Sequence, residues 1–133
     1  MPFVITNEEH SVVKLTVNTT IPLTDLKAML GVIEELLKVG SPFAFYVHFN
    51  LSSTPLSAPS LIRYLVSWMV KNEKGIKDTL ICSAIIVKSV IVKNMFKGIF
   101  NIRPTIKPNL ITTDPVKGQK FVCDISKKFH EIE

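Results

Sequence analysis

The sequence predicts an α/β protein built on a mixed β-sheet with helices packed against it. Residues 82–87 form a continuous apolar run, CSAIIV, which is typical of a strand covered on both faces. After Ser89 the apolar residues recur at Val92, Phe96 and Ile99, which is the spacing of a helix. Strands covered on both faces belong to parallel or mixed sheets that carry helices, so this stretch indicates the fold class.

The composition fits a single domain over residues 1–133, long enough to bury a core without metal or disulfide support. Although 47% of the residues are hydrophobic, no run approaches the roughly 20 residues of a membrane-spanning helix. We see no secretory signal at the start of the sequence. Cys82 and Cys123 lack the spacing of a metal or redox motif, so we expect two reduced thiols in a cytoplasmic protein, with a disulfide between them as the alternative.

The first half of the sequence predicts a hairpin, a helix and a strand. Residues 3–6 and 12–17 are rich in β-branched residues and flank a polar connection, so they predict two antiparallel strands. Thr24 or Asp25 is expected to cap the next helix, which Gly40 ends. Its predicted buried face consists of Leu26, Met29, Leu30, Ile33 and Leu37.

Residues 43–49, FAFYVHF, predict an interior strand, and we interpret His48 within it as a hydrogen-bonded core residue, not a catalyst. Residues 50–60 form a loop rich in serine and proline, from which Ser57 or Ser60 is expected to cap the second helix. The sequence NEKG at 72–75 is expected to end that helix.

The second half predicts two more strands and two more helices. The strand at 82–87 leads into a helix capped by Ser89. Two prolines restrict the next strand to residues 109–112, near a sheet edge. Thr113 or Asp114 is expected to cap the last helix, with Pro115 in its first turn. A glycine within that helix, Gly118, predicts a close crossing against the sheet. The predicted order is therefore ββαβαβαβα, with about five strands and four helices.

This order, together with residues 83–122, SAIIVKSVIVKNMFKGIFNIRPTIKPNLITTDPVKGQKFV, resembles the STAS domain family, the fold of anti-sigma-factor antagonists such as SpoIIAA. In that family a strand leads into a helix that ends in a Leu- or Phe-rich segment. A short edge strand and a final helix with an acidic or Thr/Ser cap follow. The matching segments here are 83–87, 90–100, 109–112 and 113 onward.

The resemblance implies a functional centre in the loop after the third strand, where the family carries an Asp-Ser pair whose serine a partner kinase phosphorylates. That loop corresponds to SSTPLSAPSL at 52–61, in which Ser57 and Ala58 stand in place of the pair. A phosphate on a serine here would be favoured by the helix N-terminus. The competing interpretation is that serine simply caps the helix. The candidates for partner binding or phosphorylation are Ser53, Thr54, Ser57 and Ser60.

The sequence contains no motif of a known enzyme class: there is no GxGxxG, P-loop, GxSxG or HExxH. The three histidines lie in different predicted elements and lack the spacing of metal ligands. We therefore expect no catalytic activity, no cofactor and no metal. A catalytic site assembled only by folding stays as the alternative.

The net charge of +5 is concentrated between residues 63 and 120, and we expect Lys93, Lys97, Arg103 and Lys107 to form a basic surface. The leading hypothesis is a regulatory protein-interaction module with an acidic partner, or one that self-associates through residues 104–112. The alternative is a carrier of a small ligand or lipid, similar to the Sec14 type, which touches anionic membrane through residues 93–104. These lysines also fit ordinary solvated helix faces. Nucleic-acid binding is disfavoured, since few aromatic residues lie among the lysines.

Overall fold

The computed structural model describes residues 3–8, 11–50, 59–102 and 107–132, and within them the chain forms five strands and five helices. The strands are β1 (Phe3–Glu8), β2 (Val12–Val17), β3 (Phe43–Phe49), β4 (Leu80–Ile86) and β5 (Asn109–Thr112). The helices are α1 (Leu23–Val39), α2 (Pro59–Lys71), α3 (Glu73–Thr79), α4 (Val90–Ile102) and α5 (Pro115–Ile132).

The five strands form one mixed sheet in the order β1-β2-β3-β4-β5, which confirms the predicted fold class. β1 pairs antiparallel with β2 as the predicted hairpin, and β2 to β5 run parallel. Each parallel strand lies beside the one before it in the chain. Because right-handed crossovers that all step in one direction place their helices on one face, α1 to α4 share a face of the sheet.

Alternate strand residues point to the two faces and build separate cores. Leu15, Val47 and Ile85 pack against α1, α2 and α4 in the larger core. Tyr46 and Ile86 belong to the smaller core, which α5 covers. The strands β3 and β4 are therefore buried on both faces, as their continuous apolar runs predicted.

The predicted number of helices was wrong, because the segment between β3 and β4 contains two helices, α2 and α3. The break is Asn72, whose backbone leaves the helical region with φ −103° and ψ 17°. Its side-chain amide donates to the Trp68 carbonyl at 2.9 Å and to Glu34 at 3.2 Å, which stabilises the end of α2. NEKG therefore ends α2 as predicted, but the chain re-enters a helix at once, and Gly75 packs against Leu37 inside α3. The strand after it begins at Leu80, two residues earlier than predicted.

The helix α1 buries the five predicted residues and ends as predicted at Gly40, in the left-handed region with φ 81°. Its predicted cap was wrong. The helix begins at Leu23, so that Pro22 occupies the N-cap position without a side-chain hydrogen bond, and Thr24 and Asp25 lie inside the first turn.

The helix α5 crosses the sheet closely at Gly118, as the sequence predicted. A β-carbon built on Gly118 would overlap Cδ1 of Ile86 and lie 3.4 Å from the Tyr46 ring. The close approach lets Val122 reach complete burial on one side of the sheet. The high apolar content therefore fills two cores, and none of the helices in the described ranges is long and apolar enough to cross a membrane.

Candidate functional site

The carboxyl ends of β2, β3, β4 and β5 meet at one edge of the sheet, which we call the C-terminal edge. In open α/β sheets ligands bind outside the carboxyl ends of the strands, at a point where the strand order reverses. The order β1-β2-β3-β4-β5 contains no such reversal. The chain leaves β3 here at Phe49 and re-enters the described structure at α2. The helices α4 and α5 also begin at this edge, after β4 and β5, and the Val87 amide donates to the Thr112 carbonyl at 3.1 Å. Because α1 follows β2 in the same way, four helix N-termini lie along the C-terminal edge in the described part of the chain.

The chain is fixed at the point where it leaves β3. The Asn50 amide donates to the Val17 carbonyl at 2.8 Å, which extends the pairing of β2 with β3 by one residue. The Asn50 side-chain amide lies 3.5 Å from Oδ1 of Asn18. These two contacts hold the start of the segment that follows β3 at the C-terminal edge.

The predicted partner-binding segment lies mostly beyond the described residues. Ser53, Thr54 and Ser57 are outside them, so their part in binding stays a prediction. Ser60 is exposed and lies in the first turn of α2, one residue after the helix begins at Pro59. Of the two predicted caps, Ser60 lies inside the helix and is exposed, while Ser57 lies outside the described residues.

Two helix N-termini at this edge are capped by their own side chains. Oγ of Ser89 accepts the Val92 amide at 3.1 Å, which confirms the predicted cap of α4. Oδ1 of Asp114 accepts the amides of Val116 and Lys117 at 3.0 and 3.4 Å. Asp114, not Thr113, thus caps α5, and the donors of these first turns are partly occupied.

Sequence reasoning missed an exposed apolar patch at the C-terminal edge. Ile91, Val116 and Val90 are 81%, 77% and 64% exposed, each in the first turn of α4 or α5. We call these three residues the edge patch. The exposed Lys88 lies at the same edge, and Lys117 follows Val116. The signal was present in the sequence, because Val90 and Ile91 precede the first apolar position that the helical spacing required.

The predicted basic residues do not gather at one place. The half-buried Lys93 and the exposed Lys97 are one turn apart on α4, with Lys93 nearer the C-terminal edge. Lys107 precedes β5 and therefore lies at the opposite edge of the sheet, where the parallel strands begin. Arg103 lies outside the described residues.

His48 lies on the face that α5 covers, near the C-terminal end of β3, and is half-buried. Burial lowers its pKa, and the charges of Lys14 and Lys88 lower it further. The Tyr46 ring contacts the His48 ring edge to face with 6.4 Å between centroids. No described residue forms a hydrogen bond with the imidazole, so the predicted hydrogen-bonded core histidine is instead a half-buried one packed beside Tyr46.

Tyr46 connects this part of the sheet to α5. Its hydroxyl donates to the Pro115 carbonyl at 3.4 Å, and Nζ of Lys14 lies 5.5 Å from its ring centroid. Burial raises the pKa of Tyr46, with a further contribution from Asp114. The phenol therefore stays protonated and acts as a structural donor.

The two thiols are free, and burial raises the pKa of Cys82 to about 11, with Cys123 as a further cause. Cys123 is half-buried on α5, 3.7 Å from Nε2 of Gln119. Within the described ranges, no three His, Cys, Asp or Glu residues are grouped as a metal site would require.

A cavity of about 170 Å³ lies between the sheet and the helices α1, α2 and α4. All the described residues that line it are apolar or aromatic except Ser83 and Lys107. The lining includes Leu15, Met29, Ile33, Phe45, Val47, Leu65, Trp68, Ile85, Phe96 and Phe100. The Trp68 indole nitrogen is buried and has no hydrogen-bond partner among the described residues. An apolar cavity of about 150 Å³ is large enough to bind benzene, so this one has the size of a small ligand site.

Comparison of the chain with family models, curated proteins and solved structures gave no match in any of the three.

Proposed function

We propose that this chain is a non-catalytic, regulatory protein-interaction module of the STAS type that works in the cytoplasm and binds an acidic partner at the C-terminal edge. The observation that carries the proposal is the edge patch. Three large apolar side chains, Val90, Ile91 and Val116, are held out to solvent on the first turns of α4 and α5, which lie on opposite faces of the sheet and begin at the same edge. Exposed apolar groups rimmed by charges are a common feature of protein interfaces.

The charge at this edge favours a partner with acidic groups. Lys88 and Lys117 are exposed beside the edge patch, while the Asp114 carboxylate is engaged with backbone amides of α5. A partner that presents apolar side chains surrounded by carboxylates would complement both features. A second copy of the chain, paired through the short edge strand β5, is a variant of the same proposal.

The segment after β3 supplies the regulatory part of the proposal. Its predicted phosphoacceptors are Ser53, Thr54, Ser57 and Ser60, of which Ser60 lies in the first turn of α2, at the same edge as the edge patch. The first turn of α2 contains no acidic residue, so a phosphate on Ser60 would meet the positive end of the helix without a competing carboxylate. Phosphorylation would then change the charge of the surface that the partner meets.

The test is to capture partners with the immobilised wild-type chain and with Ile91→Asp and Val116→Asp. The matched control is Val39→Asp, which places the same charge on a 74% exposed valine at the other end of the fold, where α1 ends. Captured proteins are identified and purified, and their affinities are measured at two salt concentrations. We expect an acidic protein whose affinity falls at least tenfold with Ile91→Asp, stays unchanged with Val39→Asp and weakens with salt. A partner that binds all variants equally would refute this surface.

A second candidate function is the carrier of a small ligand, and the cavity favours it. Its lining is almost wholly apolar and its volume suits a ligand of benzene size or slightly more. Binding of benzene would protect the fold, so the melting temperature should rise with benzene concentration. No rise in a chain that melts cooperatively would exclude this function.

A further inference from the structure

We infer that the cavity takes a carboxylic acid with a short apolar tail, with its carboxylate at Lys107. This inference rests on the second candidate function, the small-ligand carrier, and adds the chemical class of the ligand. The tail is the part that fills the cavity. By comparison with the cavity of about 150 Å³ that benzene fills, it has about six to eight carbons.

The charge of the cavity lining selects the head group. Lys107 is the one charged residue among the described residues that line the cavity, and no described carboxylate lies beside it in the lining. An ammonium group at the margin of an apolar cavity is stabilised most by an anion with hydrogen-bond acceptors, and a carboxylate is the smallest organic group of that kind. A neutral ligand would bring no charge to pair with this ammonium group.

The sheet register explains why Lys107 reaches the cavity. Ser83 on β4 pairs with Asn109 on β5, and the hydroxyl of Ser83 lies 3.0 Å from Oδ1 of Asn109. Ser83 lines the cavity, so Asn109 lies on the same face of the sheet. Lys107 stands two residues before Asn109, just outside β5, and itself lines the cavity. The cation is therefore at the edge where β3, β4 and β5 begin.

A second hydrogen-bond donor, the indole N–H of Trp68, lies toward the same edge. Trp68 is in the last turns of α2, which runs from the C-terminal edge toward the edge where the strands begin. It packs against the cluster of Val13, Leu37 and Phe43, of which Phe43 stands at the start of β3. Its indole N–H is buried and finds no acceptor in the described part of the chain. Burying a donor without a partner is unfavourable, and a ligand that brings an acceptor would relieve this cost.

The experiment uses the full chain and three eight-carbon or smaller probes: octanoate, 1-octanol and benzene. Trp68 is the single tryptophan of the sequence, so its fluorescence reports on the cavity without a label. We expect all three probes to change the Trp68 emission saturably, with octanoate the tightest. Lys107→Met should weaken octanoate about tenfold and leave 1-octanol within twofold. Lys97→Met, which removes the same charge from an exposed position on α4, should change neither.

A cavity-filling variant tests whether the probes bind inside the cavity. Ile33→Phe adds volume inside the cavity and should abolish binding of all three probes, and Leu65→Phe serves the same purpose if Ile33→Phe fails to melt cooperatively. If no probe binds the wild type, the carrier function fails and this inference with it. If benzene and 1-octanol bind but octanoate is no tighter, or if Lys107→Met leaves octanoate unchanged, the carboxylate assignment is wrong while the carrier function stands.

Discussion

Gly118 of α5 lies against Ile86 of β4 so closely that a β-carbon on the glycine would overlap the isoleucine side chain. Ile86 is 1% exposed and has little room to move aside, since Tyr46 lies on the same face. The missing side chain therefore sets the distance between α5 and the sheet. The burial of Cys82 and Val122 depends on that distance.

Gly118→Ala should destabilise the protein although alanine favours helix formation. Overpacking of a core costs about 1–3 kcal/mol, which exceeds the gain in helix propensity of about 1 kcal/mol. The control is Gly98→Ala on α4, where an added β-carbon meets nothing within 4 Å, so that only the gain in propensity is expected. Urea unfolding of both variants measures the difference, and equal stabilisation by the two would contradict the close crossing.

Ser89→Ala should lower the free energy of unfolding by about 1 kcal/mol, because α4 loses the acceptor of its Val92 amide. Ser67→Ala is the matched control, since Ser67 is exposed within α2 and its loss should change the stability by less than about 0.5 kcal/mol. Both values come from chemical denaturation. A similar small change in the two variants would show that the cap contributes nothing.

His48 should make the protein less stable as the pH falls below about 6.5, the ordinary pKa of histidine. Burial, Lys14 and Lys88 lower its pKa in the folded state, so the unfolded chain takes up the proton first. The stability that the neutral imidazole contributes is fully present above that pH. It is lost as the pH falls through the lowered pKa of the folded state. Urea midpoints between pH 5 and 7.5 should show this slope, and His48→Gln should flatten it.

Lys14→Met offers a separate check, because Lys14 contributes to the lowered pKa of His48. The pKa of the His48 ring, measured by NMR titration, should rise in this variant. An unchanged titration would mean that burial and Lys88 lower the pKa without a contribution from Lys14.

Cys82 should resist thiol reagents until the protein unfolds. With a pKa of about 11, only about one part in a thousand of this thiol is ionised at pH 8, and the side chain is buried. In Cys123→Ser, where Cys82 is the remaining thiol, Ellman's reagent should react slowly with the native protein and at once in denaturant. Rapid native reaction would show that α5 leaves the sheet readily.

The sequence predicted best the elements whose local signals agree with their packing. The apolar spacing of α1, its end at Gly40 and the cap at Ser89 are all local, and each is found in the structure. Gly118 was informative for the opposite reason. A glycine disfavours a helix, so its presence there required a close neighbour, which proved to be Ile86.

The errors arose where a distant contact decides the local structure. Asn72 separates α2 from α3, and its side-chain amide donates to Glu34, which lies 38 residues earlier in the sequence. The edge patch was missed because the apolar character of Ile91 and Val116 says nothing about whether the fold covers them. The cavity was missed for a similar reason, since it lies between elements that the sequence places separately.

The strand order β1-β2-β3-β4-β5 has a consequence for the speed of folding. Every strand pairs with the strand that precedes it in the chain, so the sheet can grow by adding one strand at a time. Strands that are consecutive in the chain have smaller sequence separations than any other strand pairs, and smaller separations lower the entropic barrier to folding. The face that α5 covers is the exception, because this helix follows all five strands and must dock on a surface that is already formed. We therefore expect the docking of α5 to complete folding.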